Sequence, residues 1–224
     1  MLIVGCASQK GGVAKSSLAR LLAREFAERG RRVLLADLDV LQGTTLDWSR
    51  RRAEAGHKPG IAVERFGSVE AAVKAARQQG ADCLVLDARG VADAQTLEVA
   101  RAADALLIPS GLAVDDLAPA VRLAHELVQA GVPRGRLAVA LCRTGDSVAE
   151  IAEAAEYVGA AGYRCLDAVW PERAGYRRAH DEGRAATESR HPTLREKAHA
   201  VADSAIAFIE SQNGKQGSRK RESH

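Results

Sequence analysis

Aromatic side chains are scarce: three Phe, two Trp and three Tyr in 224 residues. Modules that read single-stranded nucleic acid stack bases on aromatic platforms, so this poverty argues against a surface of the RRM or OB-fold kind. Any contact with nucleic acid is then mainly electrostatic. Cysteine is equally thin. Cys6, Cys83, Cys142 and Cys165 are far apart, form no C-x-x-C pair and lie in or beside apolar runs, which predicts reduced core thiols of a cytosolic protein. The six histidines show no metal-ligand spacing such as H-E-x-x-H and read as surface or helix residues. No run approaches the roughly 20 apolar residues of a membrane span, and the opening apolar stretch Met1–Ala7 is short and lacks a basic leader. The expectation is a soluble, cytoplasmic chain.

What is present is ordinary in amount and uneven in placement. Hydrophobic residues make up 46% and charged residues 27%, the balance of one globular domain. A chain of this size buries roughly 70% of its unfolded surface, enough for a core without staples. Residues 1–170 carry 21 Lys and Arg against 21 Asp and Glu, whereas 171–224 carry 11 against 8. The whole net charge of +3 therefore belongs to the last quarter. It reads either as a solvated basic tail or as a face for a polyanion.

Short apolar, β-branched runs near 2–8, 32–37, 61–65, 82–87, 104–109, 136–142 and 163–169 alternate with segments of helical period near 16–29, 68–79, 94–102, 115–130 and 147–161. That alternation predicts an α/β fold, a single-domain, mostly parallel twisted sheet with helices on both faces. Two further helices are expected near 172–183 and 193–211, and 43–60 reads as an excursion between strands. The folded domain expected over 1–211 is followed by 212–224, polar, basic and predicted to be disordered.

The strongest signal follows the first strand: Gln9-Lys10-Gly11-Gly12-Val13-Ala14-Lys15-Ser16-Ser17, then the helical Leu18-Ala19-Arg20-Leu21-Leu22. A glycine-containing loop between a strand and a helix N-terminus gathers unpaired backbone N–H groups on an anion. Lys15 reaches β/γ-phosphates in such a loop and the Ser16 hydroxyl ligates Mg²⁺. The loop matches the deviant Walker A pattern K-G-G-x-G-K-[ST]-[ST], with Ala14 as its departure. In this the chain resembles the ParA/MinD family of ATPases, most of all the short ParA-type partition ATPases. If the backbone at Ala14 must adopt a positive φ, its Cβ costs about 1 kcal/mol.

The resemblance implies ATP or ADP with Mg²⁺ as cofactors. Gly11, Gly12, Val13, Ala14, Lys15, Ser16 and Ser17 would hold the phosphates, and Lys10 would reach the partner's nucleotide across an ATP-sandwich homodimer. Val33–Asp39 resembles the family's D-x-D-P-Q segment, which makes Asp39 the residue that orients the attacking water and puts Asp37 near Mg²⁺. Here Val40-Leu41 replace the proline and lengthen the loop. Asp82–Asp87 looks like a Walker B strand, so Asp87 joins Ser16 and Asp37 as an expected Mg²⁺ residue. Leu137–Arg143 resembles the strand that usually ends in Asn-Arg. Cys142 stands where that Asn reads adenine, and Pro171 lies in the turn beside the base. With Lys10, Lys15 and Asp39 as catalytic residues, the chemistry is phosphoryl transfer to water by positioning and charge stabilisation.

Short ParA proteins bind DNA without sequence preference through basic C-terminal residues, which here would be Arg177, Arg178, Arg184, Arg195 and Lys197. The tail has no apolar face of the kind that MinD-like membrane helices carry. The expected protein is a nucleoid-associated ATPase that dimerises on ATP, binds DNA, and is stimulated by a ParB-like or other adaptor to position plasmid, chromosome or another cargo. A nucleotide-sensing regulator with little turnover is the alternative. A metabolic synthetase would need insertions absent from so short a chain, and an iron–sulfur carrier would need paired cysteines.

Overall fold

Each apolar run of the sequence becomes a strand. In the computed structural model, which describes residues 1–40, 42–90 and 94–221 and side chains as far as Gln212, these are β1 (Leu2–Cys6), β2 (Val33–Asp37), β3 (Ala62–Arg65), β4 (Cys83–Asp87), β5 (Ala105–Ser110) and β6 (Leu137–Thr144). The last expected strand is split into β7 (Arg164–Cys165) and β8 (Trp170–Pro171). The helices are α1 (Lys15–Glu28), α2 (Thr44–Glu54), α3 (Val69–Gln78), α4 (Ala94–Ala102), α5 (Val114–Gln129), α6 (Val148–Ala160), α7 (Ala174–Asp181) and α8 (Pro192–Arg221). The strands lie in the order β3-β2-β4-β1-β5-β6-β7, with β8 also on β6, and every pairing is parallel.

A parallel sheet is covered on both faces, so its strands read as near-continuous apolar runs. Alternate residues divide between two cores. Val33, Leu35, Cys83, Val85, Ala138 and Ala140 face Leu18, Leu22 and Phe26 of α1 and Val201, Ala205 and Phe208 of α8. Leu34, Ala36, Leu84, Leu86, Val139 and Leu141 face α3, α4, α5 and α6. All four cysteines are free thiols, with Cys165 only partly buried; burial pushes Cys83 and Cys142 up to about 12.

One expectation changes. The excursion at 43–60 contains α2, whose buried residues are Thr45, Trp48 and Arg52. Spacings of three and four put them on one face, but only one of the three is apolar, which hides the period. The helix expected near 193–211 is α8, whose bounds are Pro192 and Arg221. Residues 222–224 of the expected tail lie outside the described residues, as does Leu41. No helix among the described residues is long and apolar enough to cross a membrane.

The turn after α7 packs directly on α2. Gly183 has φ +74°, and a Cβ built there would stand 2.4 Å from the backbone N of Arg52 and 2.6 Å from its Cα. Gly183→Ala therefore combines a left-handed backbone with a backbone clash. It is expected to lower unfolding stability by about 2 kcal/mol or more in urea titrations.

Candidate nucleotide-binding site

The register aligns Cys6 of β1 and Asp37 of β2 with Asp87 of β4. The carboxyl ends of three central strands therefore finish at one level, where open α/β sheets hold their ligands. The loop from β1 to α1 arches over this edge. Gly12 has φ +78° and Ala14 has φ +72° and ψ 21°, both left-handed, and Ala14 is the residue on which α1 starts. A glycine is what this geometry favours, so the chain carries the conformation of the K-G-G-x-G-K loop with a Cβ still attached. Gly90, after β4, lies so near the loop that a Cβ there would sit 3.3 Å from the Cα of Gly11.

Asp87 lies beneath the loop, almost fully buried. Its Oδ1 accepts from Lys15 Nζ at 2.6 Å and from Ser16 Oγ at 3.2 Å. Its Oδ2 accepts from Thr45 Oγ1 at 2.8 Å, and Thr45 Oγ1 accepts from Arg20 Nε at 3.2 Å. Arg20 is buried as well, and burial lowers its pKa while the charge of Asp87 opposes the fall. Asp37 turns to the start of α2. Its Oδ2 accepts from the backbone N–H of Thr45 at 3.2 Å and of Leu46 at 3.3 Å, and its Oδ1 from that of Asp39 at 3.1 Å. Burial, then the neighbouring Asp87, raises the Asp37 pKa against those three donors.

In front of this pair opens a cavity of about 500 Å³ whose lining includes Lys10, Gly11, Lys15, Ser16, Asp39, Gln42 and Arg89. Asp39 Oδ1 accepts from the backbone N–H of Gln42 at 3.1 Å. Lys10 leans the other way, onto the first turn of α5, where Nζ meets Asp116 Oδ1 at 2.5 Å and the Asp115 carbonyl at 3.3 Å. Behind the loop, Gly12, Ala14, Ser17, Arg143, Pro171, Tyr176 and His180 line a smaller cavity of about 200 Å³. Arg143, with φ +56°, donates to the Gly12 carbonyl at 2.7 Å and to Glu172 at 3.0 Å. His180 Nδ1 lies 3.4 Å from Ser17 Oγ. Burial and the adjacent Arg20 and Arg51 lower this imidazole to about 3, so it is neutral at pH 7. It is a half-buried residue of α7, in keeping with the surface or helix position that the sequence reads.

The structure brings together Lys10, Gly11, Gly12, Ala14, Lys15, Ser16, Ser17 and Asp39 around one opening, with Asp87 below and Pro171 behind. Val13 lines an adjoining cavity with Lys10 and Gly12, whereas the side chains of Cys142 and Asp37 line neither opening. Cys142 is fully buried in the core facing α1 and α8. Asp37 spends its carboxylate on backbone N–H groups rather than beside Ser16. Of the basic residues, Arg177, Arg178, Arg195 and Lys197 are exposed and Arg184 is half-buried. Arg177 pairs with Glu172 and Arg184 with Glu182. Sequence reasoning missed Arg20 and Thr45. An arginine inside the apolar run Leu18–Leu22 is the signal that could have found the first.

The residues fit a phosphate and a hard divalent cation. Among the described residues, no group of three His, Cys, Asp or Glu gathers as a protein cage. A hydroxyl and a carboxylate 3.2 Å apart at a helix N-terminus suit Mg²⁺, which prefers oxygen and is usually held by few side chains with water and phosphate.

Residues 4–185 match the family model described as the CobQ/CobB/MinD/ParA nucleotide binding domain. The chain belongs to this family. A curated relative, the chromosome-partitioning ATPase Soj of Thermus thermophilus, is 31% identical over 132 residues, 47% of this chain and 53% of that protein. The chain thus matches about half the length of that relative. Solved structures share the fold. The MinD cell division protein of Aquifex aeolicus has a TM-score of 0.70 at 18% identity, covering 94% of this chain and 98% of that one. The cell division ATPase MinD of Pyrococcus furiosus has a TM-score of 0.66 at 18% identity, covering 92% and 99%. A putative plasmid partition protein of Borrelia burgdorferi, solved with AMPPNP, has a TM-score of 0.66 at 16% identity, covering 92% and 98%. These likenesses bear out the mostly parallel P-loop NTPase fold.

Ala14→Gly removes a Cβ from a left-handed position and leaves the loop otherwise intact. Relief of strain exceeds the added freedom of glycine in the unfolded chain, so stability should rise by about 0.5–1 kcal/mol. Chemical denaturation checks it; an unchanged or lowered midpoint would refute the strain.

Proposed function

We propose that this chain is a ParA-type ATPase: it binds ATP with Mg²⁺, forms an ATP-sandwich homodimer, holds DNA without sequence preference, and hydrolyses ATP when a ParB-like or other adaptor engages it. The observation that carries the reading is the convergence of Lys15, Ser16 and Asp87 at 2.6 and 3.2 Å beneath the loop of α1.

The backbone N–H groups of Gly11 to Ser16 converge with the positive end of α1 on the phosphates. Lys15 supplies a charge against the β/γ-phosphates. Ser16 and Asp87 would hold Mg²⁺, which neutralises phosphate charge when bound. Asp37 supports from behind by fixing the start of α2. Asp39, at the mouth of the cavity, orients the attacking water. Lys10 has a half-exposed side chain and leaves Asp116 to meet the partner's nucleotide. Arg177, Arg178, Arg195 and Lys197, with Arg184 beside them, neutralise DNA phosphates, so retention falls steeply with salt. The protein is then nucleoid-associated in the cytoplasm and positions DNA or another cargo.

A second reading, a nucleotide sensor with little turnover, is favoured by the strained Ala14 and the buried Cys142. Robust ATP turnover stimulated by DNA and adaptor would eliminate it.

The proposal is tested by DNA retention at physiological salt with and without ATP. Lys15→Ala should abolish the ATP-dependent part. Retention that is ATP-dependent and equal in both proteins would overturn the switch.

A further inference from the structure

Thr45 has no exposed surface, and its hydroxyl has a fixed direction. A hydroxyl carries one proton. Given to Asp87 Oδ2 at 2.8 Å, it leaves lone pairs, one of which takes Arg20 Nε at 3.2 Å. With Thr45 wholly buried, the bond keeps much of its electrostatic strength. The two oxygens of Asp87 therefore divide their work: Oδ1 serves Lys15 and Ser16, Oδ2 serves α2. Because the carboxylate is one delocalised charge, any ligand that takes Lys15 or Ser16 changes what Oδ2 offers to Thr45.

Further along α2, the same buried face is fastened to the end of α7. Trp48 Nε1 donates to the Arg184 carbonyl at 3.0 Å, a guanidinium N–H of Arg52 to the Gly183 carbonyl at 3.2 Å, and one of Arg51 to the His180 carbonyl at 3.4 Å. The guanidinium groups of Arg20 and Arg52 also lie over the Trp48 ring, 5.7 and 5.6 Å from its centre. The absence of space for a Cβ at Gly183 means that α2 cannot shift toward this turn without moving it. Packed elements of this kind pass small displacements on rather than absorbing them.

We propose that Thr45 is a coupling residue: occupation of the phosphate site at Lys15 and Ser16 is passed through Asp87 and Thr45 to α2, and through α2 to the turn at 180–184, beside the basic residues of α7. This rests on the nucleotide reading above. A competing direct route exists, the Ser17–His180 contact at 3.4 Å.

Hydrogen exchange of the full chain, with and without ADP and Mg²⁺, separates the two routes, because exchange reports local opening segment by segment. In the unsubstituted chain, nucleotide should slow exchange at 8–18, 44–54 and 176–185. In Thr45→Val the slowing at 8–18 should remain, while that at 44–54 and 176–185 is lost; Thr45→Ser should restore it. Thr45→Ala, which adds no bulk, carries the same comparison if the valine variant does not fold. Full slowing at 176–185 in a variant lacking the hydroxyl would overturn the coupling in favour of the direct contact. Loss at 8–18 as well would make Thr45 part of nucleotide binding and also overturn it. Slowing at 8–18 without any at 176–185 in the unsubstituted chain would overturn it too. No slowing at 8–18 in the unsubstituted chain would instead remove the nucleotide reading beneath it.

Discussion

Two buried carboxylates stand side by side at the end of a parallel sheet, and the surroundings are organised to keep both satisfied. Asp37 and Asp87 are register partners, and like charges at low dielectric repel while each loses its water. Asp37 is answered by three backbone N–H groups, two of them from the first turn of α2. Asp87 is answered by a lysine and two hydroxyls. All of these partners except the Asp39 N–H come from the N-terminal turns of α1 and α2, the ends where helix dipoles favour negative charge. The same demand thus fixes two helices against the sheet and assembles a site of the right chemistry for phosphate and Mg²⁺.

Much of this was legible because the chemistry constrains the residues. A phosphate loop needs glycine, lysine and hydroxyl at fixed spacing between a strand and a helix, so Lys10 to Ser17 could be read directly. The buried strands could be read because a sheet covered on both faces needs unbroken apolar runs. The remainder depended on contacts between distant segments. The face of α2 is closed by Thr45, Trp48 and Arg52, and Arg52 is tolerated there because Glu188, 136 positions away, forms a bidentate pair with it at 2.6 and 3.0 Å. The sequence order of Asp37 and Asp87 says nothing of which one faces the lysine. The departure of Cys142 into the core and the pairing of Lys10 with Asp116 likewise follow from packing across the sheet.

Departures from the family pattern cluster around the loop. Ala14 keeps a left-handed backbone at a cost, and Arg143, another left-handed residue, braces the carbonyl of Gly12 from the side. Strain held at such positions persists only where neighbours over-determine it, and Arg143, with Glu172 behind it, is such a neighbour. The loop thus keeps its left-handed backbone with a brace from β6.

The central claim is that Asp87 and Ser16 form a cation-dependent phosphate site. Calorimetric titration of ADP into the chain and into Asp87→Asn, each with and without Mg²⁺, addresses it most directly. The amide keeps an acceptor for Thr45 but loses the charge. The account predicts that Mg²⁺ tightens ADP binding to the unsubstituted chain and has little effect on the variant. Equal Mg²⁺ dependence in both proteins would contradict it.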